Sequence, residues 1–157
     1  MSTEGKLYLV STPIGNLEDI TLRALSVLKS VDLIAAEDTR HTRQLLSHFD
    51  IHTRLVSFHA FNEHRKAEGL IGQILGGLKV ASVSDAGTPS VADPGFYLVR
   101  EAVRNGIVPE VIPGVSAVTF AVTASALPVD KFAFLGFPPV KSGRRRKFFE
   151  AIREENK

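Results

Sequence analysis

The sequence predicts an α/β fold, an open and mostly parallel sheet flanked by helices. Two observations carry this. Short apolar runs alternate with helical segments of about ten residues or more, the pattern of successive βαβ units. Three of those runs lead directly into turn-rich segments: Ser11-Thr12-Pro13-Ile14-Gly15-Asn16, Ser84-Asp85-Ala86-Gly87-Thr88-Pro89 and Pro113-Gly114-Val115-Ser116-Ala117. In an open α/β sheet, ligands bind in the crevice beyond the carboxyl ends of the strands, because loops vary there while the sheet stays rigid. Three strand ends are therefore expected to converge on one ligand.

The elements follow in order. Leu7–Val10 is an apolar run that predicts a buried strand, and after the Pro-Gly-Asn loop Asp19 is placed to cap a helix in which Leu22, Leu25 and Leu28 recur at helical spacing. Leu33–Ala36 predicts a second strand. Asp38 is placed to cap a helix across Thr39–Phe49, and Leu55–Phe58 predicts a third strand. A helix over Asn62–Leu78 is expected to end at the Gly76-Gly77 pair. Lys79–Val83 is the fourth strand. Phe96–Asn105 is a helix with Phe96, Val99 and Val103 on one face, and Glu110–Ile112 is the fifth strand. An Ala- and Val-rich helix over Ser116–Ala126 and a last strand at Phe132–Leu135 complete the pattern. No internal repeat interrupts it. Phe137-Pro138-Pro139 reads as a break, and Ser142–Lys157 as the opening of a further helix, so residues 1–137 are expected to form an N-terminal α/β domain and 138–157 a linker with the start of another.

With 157 residues, 44% hydrophobic and 23% charged, the chain is long enough for one well-buried core. It has no cysteine, which excludes disulfides and thiolate metal sites and fits a reducing compartment. The N-terminus lacks the apolar stretch of a signal peptide and no run approaches the ~20 apolar residues of a membrane span, so a cytoplasmic address is expected. Net charge is only +2, with Lys+Arg 19 against Asp+Glu 17, so whole-chain charge does not argue for nucleic acid. Local clusters at Lys141–Lys147 and at Arg40, Arg43 and Arg54 are the places where phosphates would meet positive charge, or else solvated helix surfaces.

The motifs narrow the ligand. Gly-x-Gly-x-x-Gly is absent after the first strand, and no Gly-x-x-x-x-Gly-Lys-Ser/Thr occurs, which removes most support for dinucleotides and nucleoside triphosphates. The three loops instead place Pro and Gly beside small side chains, so main-chain N–H and C=O groups can approach a ligand without a Cβ in the way. The histidines at 41, 48, 52, 59 and 64 show no metal-ligand spacing, and no metal is expected. Gly114-Val115-Ser116-Ala117-Val118 lacks the second glycine of a nucleophile elbow, which speaks against a serine hydrolase.

The runs Leu9–Thr21, Ala36-Glu37-Asp38-Thr39-Arg40, Ser82–Pro89 with Asp93-Pro94-Gly95, and Pro113–Ala117, in that order, resemble the tetrapyrrole-methylase superfamily of S-adenosylmethionine-dependent methyltransferases. Within it they resemble the branch that methylates the ribose 2′-hydroxyl of a cytidine in small-subunit ribosomal RNA. The resemblance implies two α/β domains, a homodimer, and S-adenosylmethionine folded into the cleft between the domains, with this segment resembling the first domain only. It assigns the cofactor to Pro13, Ile14 and Gly15, to Ala86, Gly87, Thr88 and Val91, and to Ser116 and Ala117. Thr88 stands where tetrapyrrole-modifying relatives have an aspartate, so that carboxylate's contacts do not transfer.

Methyl transfer to a hydroxyl depends on near-linear alignment, and positioning alone can contribute roughly 7–11 kcal/mol. Any base must be a carboxylate or imidazole within hydrogen-bond reach of the hydroxyl. Asp38 and Asp85, after the second and fourth strands, are the candidates, with capping and turn closure as their structural alternatives. Arg40 is placed to hold an RNA phosphate or to pair with Glu37. His59 and Asn62, near Phe61, are placed to meet a base. A non-catalytic ligand-binding domain and a tetrapyrrole C-methyltransferase remain as alternative functions.

Overall fold

The computed structural model describes residues 4–153. Its strands are β1 (Lys6–Val10), β2 (Leu33–Ala36), β3 (Leu55–Ser57), β4 (Lys79–Val83) and β5 (Glu110–Ile112), and its helices α1 (Leu22–Ser30), α2 (Thr39–His48), α3 (Glu63–Leu75), α4 (Phe96–Arg104), α5 (Ala117–Ala124) and α6 (Ser142–Ile152). All five strands are parallel, in the order β3-β2-β4-β1-β5. The α/β expectation holds, and the sheet is wholly parallel rather than mostly so. The described residues form two compact units that divide between Ser116 and Ala117; the first holds the sheet with α1 to α4, the second α5 and α6.

Helices cover both faces of the sheet, which is why its strands are near-continuous apolar runs instead of alternating ones. On one face Leu7, Leu9, Leu33, Ala35 and Val80 pack with Leu70, Ile71 and Ile74 of α3 and Leu98 and Ala102 of α4. On the other, Val10, Ile34, Ala36, Ala81, Val83 and Ile112 pack with Ala24 and Leu28 of α1 and Leu46 of α2. Register aligns Leu7 with Val80 and Leu33 with Val80, so three strands bring large side chains to the same level of the core.

Several expectations need correction. Thr21, not Asp19, caps α1: its hydroxyl accepts the Ala24 amide at 3.1 Å, while Asp19 lies in a 3-10 turn begun by Asn16. Extended backbone at Ile20 and Thr21 separates the two, so a helix beginning at residue 19 is not available. α3 stops three residues before Leu78, where the glycine pair closes it: Gly76 donates to Gly72 and Gly77, at φ +102°, donates to Ile74. α4 turns Leu98, Val99 and Ala102 inward and leaves Phe96 and Val103 at 60% and 61% exposure. The outward aromatic stripe has its own partner, since the Arg100 guanidinium lies over the Phe96 and Tyr97 rings at 5.6 and 4.6 Å. Phe132–Leu135 is exposed and pairs with no strand among the described residues. Without a ladder to join, a short run between Pro128 and the left-handed Gly136 has nothing to hold it extended.

In the second unit α5 ends at Ala124; the Ser125 hydroxyl donates to Val122 and accepts from Leu127, and Ala126 takes φ +57°. α6 carries Arg144, Arg145 and Arg146, the last paired with Glu150 one turn on. Among the described residues, no helix is long and apolar enough to cross a membrane.

Candidate functional site

The strand order does the first part of the assembly. β4, β1 and β5 are neighbours, so the three turn-rich segments that follow them lie side by side at the carboxyl end of the sheet. β2 and β3, which precede Asp38, Arg40, His59 and Asn62, form the other side. Cofactor candidates and substrate candidates therefore occupy adjacent halves of one sheet end.

Hydrogen bonds fasten the three loops together. Thr12 and Gly87 exchange backbone hydrogen bonds at 2.9 and 3.0 Å, an antiparallel bridge beyond the parallel ladder. The Thr12 hydroxyl donates to the Ser84 carbonyl at 3.2 Å, and the hydroxyls of Ser11 and Thr88 lie 3.0 Å apart. Ser11 donates its amide to Ile112 at the end of β5. Gly114 fits against Ser11 so closely that a Cβ on it would stand 2.8 Å from the serine Cβ. Ser11, Thr12 and Ser84 are all buried, so their polar groups must be satisfied inside the protein, and these contacts do it.

The middle of this assembly is bare backbone. Gly87 has φ +79°, a left-handed conformation natural to glycine, and a Cβ there would meet only Ile14 Cγ2, at 3.7 Å. At Gly15 a Cβ would meet nothing within 4 Å. Pro13 is buried, Ile14 half-buried, and Ala86 and Val91 are exposed. A small cavity of about 110 Å³ opens beside them, lined by Thr12, Pro13, Leu17, His41 and Asp85 among others. A larger one, about 790 Å³, is lined by Gly5, Gly76 and Ile107, at the amino ends of the strands and away from these loops. Ser116 closes the first unit, and Ala117 opens α5 in the second.

Four carboxylates gather at the ends of β2 and β4. Asp85 Oδ1 accepts the Asp38 amide at 3.0 Å, joining the two loops. Asp38 itself caps α2 through the Arg40 amide at 2.8 Å and takes the Arg40 guanidinium at 3.2 and 2.8 Å. Those Arg40 hydrogen bonds hold its carboxyl below the usual carboxylate range. Arg40 thus pairs with Asp38 and not with Glu37. Burial, then the charges of Asp85 and Asp93, push the Glu37 carboxyl up. Burial also raises Asp93, against a hydrogen bond from Ser84 and with a smaller push from Asp85.

After β3, the Asn62 side chain spans its own loop: Oδ1 accepts the His59 amide at 3.0 Å and Nδ2 lies 2.9 Å from His59 Nε2. Phe61 is 99% exposed beside the His59 ring, and His59 Nδ1 is buried without a hydrogen-bond partner. Sequence reasoning did not single out Glu37, Asp93, Ser11, Thr12 or Ser84 as site residues. For Ser11, Glu37 and Ser84 the signal was a hydroxyl or acid directly after the apolar runs of β1, β2 and β4, where a strand must hand its backbone over to a loop.

A family model described as tetrapyrrole (corrin/porphyrin) methylases matches residues 6–156. A ribosomal RNA small subunit methyltransferase I of Escherichia coli O157:H7 is 52% identical over 154 residues, 98% of this chain and 54% of the relative. Its counterpart in Vibrio cholerae is 54% identical over 140 residues, 89% of this chain and 49% of the relative. The chain thus spans about half the length of the curated relatives it matches. Among solved structures, a uroporphyrin-III-C-methyltransferase from Thermus thermophilus matches with TM-score 0.63 and 30% identity, over 82% of this chain and 55% of the other. A conserved hypothetical protein from Aeropyrum pernix K1, at TM-score 0.67 and 24% identity over 83% of this chain and 46% of the other, shares the fold.

Proposed function

The chain belongs to the tetrapyrrole (corrin/porphyrin) methylase family, and from that premise we propose that it binds S-adenosylmethionine at the joined ends of β1, β4 and β5. We further propose that it serves an enzyme that methylates small-subunit ribosomal RNA on the ribose 2′-hydroxyl of a cytidine, working in the cytoplasm as a homodimer. The observation that carries the cofactor assignment is the buried bridge between Thr12 and Gly87, which holds the loops after β1 and β4 together and sets exposed Gly15 and Ala86 beside it. RNA is favoured over a tetrapyrrole by identity: 52% to a ribosomal RNA methyltransferase against 30% to a tetrapyrrole one.

The residues present fit the cofactor. A ligand that is part adenosine and part amino acid is recognised by amides, carbonyls and hydroxyls together with small apolar surfaces, and the loops offer that set. Pro13, Ile14 and Gly15 would form one wall, Ala86, Gly87, Thr88 and Val91 the other, and Ser116 would close the β5 side. When bound, S-adenosylmethionine supplies an electrophilic methyl carbon on its sulfonium. The protein's task is to hold a ribose hydroxyl in line with that carbon and to keep water out.

Asp85 is the candidate that touches both halves of the sheet end, through the Asp38 amide. Its proposed role is to orient the hydroxyl and take its proton, with Glu37 beside it as a reserve acceptor whose raised affinity for protons suits that work. Asp38, committed to the α2 cap and to Arg40, is assigned to holding that loop in place. His59, Asn62 and Arg40 are proposed to meet the RNA on the β2–β3 side.

Titration calorimetry of this chain with S-adenosylmethionine, beside a version lengthened to match its relatives, tests the cofactor reading. Methyl transfer from labelled cofactor to ribosomal RNA, followed by nucleoside digestion, tests the rest. Label in 2′-O-methylcytidine is expected; label on a base, or none with the lengthened form, would reject the assignment.

A further inference from the structure

The outer edge of the sheet carries cations that the site above does not use. Among the described residues β3 pairs with β2 alone, so its other edge has no strand partner. Two depressions flank it. One, of about 330 Å³, has Leu33, Val56 and Leu70 beneath Arg54, Arg65 and Lys66. The other, of about 390 Å³, has Leu46, Ile51 and Leu55 beneath Arg43 and His52.

No aspartate or glutamate lines either depression. Arg43, Arg54 and Arg65 make no ion pair among the described residues, and Lys66 Nζ donates to the Ser57 carbonyl at 2.6 Å, which leaves its charge uncompensated. Only His52 meets an acid, Asp50 at 2.9 Å. In a chain whose charges nearly cancel, two depressions whose linings hold cations and no carboxylate are a local feature and not an average one.

The backbone that carries these cations is fixed. The Thr53 hydroxyl donates to the Leu28 carbonyl at 2.6 Å, and the Arg54 carbonyl accepts the Ile34 amide at 2.8 Å, so the approach to β3 is tied to α1 and to β2. Arg65 and Lys66 ride on α3, and Arg43 on α2. Cations drawn from three elements, spread along an edge, suit a ligand with repeated negative charge better than a compact anion. Arginine forks match phosphate geometry, and the apolar floors suit the sugar faces between phosphates.

We propose that this edge docks the phosphodiester backbone of the RNA substrate on the approach to the target nucleotide, an inference that rests on the RNA reading above. The strand order supports the path. RNA laid over β3 reaches His59, Asn62 and Arg40 next, and then the joined ends of β4, β1 and β5. Contacts of this kind position a strand without reading its bases.

The test is fluorescence anisotropy of a labelled oligouridylate at a series of sodium chloride concentrations. Each lost phosphate contact to a single strand removes about 0.7 from the salt slope, so Arg54→Ala with Arg65→Ala is expected to make it shallower by roughly 1.4. Arg54→Lys with Arg65→Lys should keep the slope. Gly69→Glu places an acid in the groove; a Cβ there meets nothing within 4 Å and glutamate favours a helix more than glycine does, so the fold should hold while affinity falls several-fold. Affinity for S-adenosylmethionine should be the same in every variant. An unchanged slope in the alanine pair overturns the docking surface and leaves the RNA reading standing. Failure of the unaltered chain to bind oligouridylate overturns both. Polyglutamate bound through the same arginines as tightly as oligouridylate would make the edge a surface for acidic proteins and also overturn the proposal.

Discussion

The Glu63 carboxylate, only 8% exposed, accepts the Gly95 amide at 2.9 Å and so ties the first residue of α3 to the cap of α4. A buried carboxylate at two helix N-termini is stabilised by the unpaired amides and by the dipoles of both. The pairing also ties the His59–Asn62 segment after β3 to the loop that follows β4. Gly95 is fixed in turn, at φ +131° with Ser90 Oγ where a side chain would go.

Replacing Glu63 by alanine leaves the Gly95 amide buried and unpaired. The expected loss is about 1–3 kcal/mol in urea denaturation, with Glu63→Gln losing less because its carbonyl oxygen still accepts. An alanine variant with the parent's unfolding midpoint would show that the contact contributes nothing.

Gly87 should resist replacement for two separate reasons. Its φ of +79° strains any side chain by roughly 1–3 kcal/mol, and the loop it holds against Thr12 is where the cofactor is proposed to lie. Gly87→Val is therefore expected to lower the melting temperature and, while still folded by circular dichroism, to weaken S-adenosylmethionine at least tenfold, about 1.4 kcal/mol. Parental affinity in the folded variant would remove this loop from the site.

The two faces of α4 give a sharp comparison. Leu98 is fully buried against Leu7 and Ile71, whereas Val103 is 61% exposed. Leu98→Ala should cost about 2–5 kcal/mol through lost burial and a cavity. Val103→Ala should stay within about 0.5 kcal/mol. Equal losses would restore the face that the sequence suggests.

That reversal shows what was legible and what was not. β2, β4 and β5 match their expected bounds because a parallel strand covered on both faces is a simple apolar run. The caps at Asp38 and Gly76 were legible because they depend on local chemistry. The α4 face was not, since Phe96 and Val103 look like core residues until Arg100 is seen lying on the aromatic ring. The meeting of Glu37, Asp85 and Asp93 depends on β2 lying next to β4, a pairing between distant segments that no local pattern encodes.

The end of β2 should tilt stability in opposite directions in two neighbouring pH windows. Burial beside Asp85 and Asp93 raises Glu37 above its ordinary value of 4.5, so just above that pH the folded chain retains a proton that the unfolded chain has released. Stability attributable to Glu37 must then decline as pH rises from 4.5 through the raised value. Asp38 is the reverse. Arg40 lowers it below the ordinary 3.8, so its contribution is present above that pH and is lost as pH falls through the lowered value. Urea midpoints measured across the acid range should show Glu37→Gln gaining on the parent as pH climbs toward neutrality, and Asp38→Asn converging with the parent as pH drops. Glu37→Gln running parallel to the parent over its window would mean that the carboxyl is as well solvated in the folded protein as in the unfolded one.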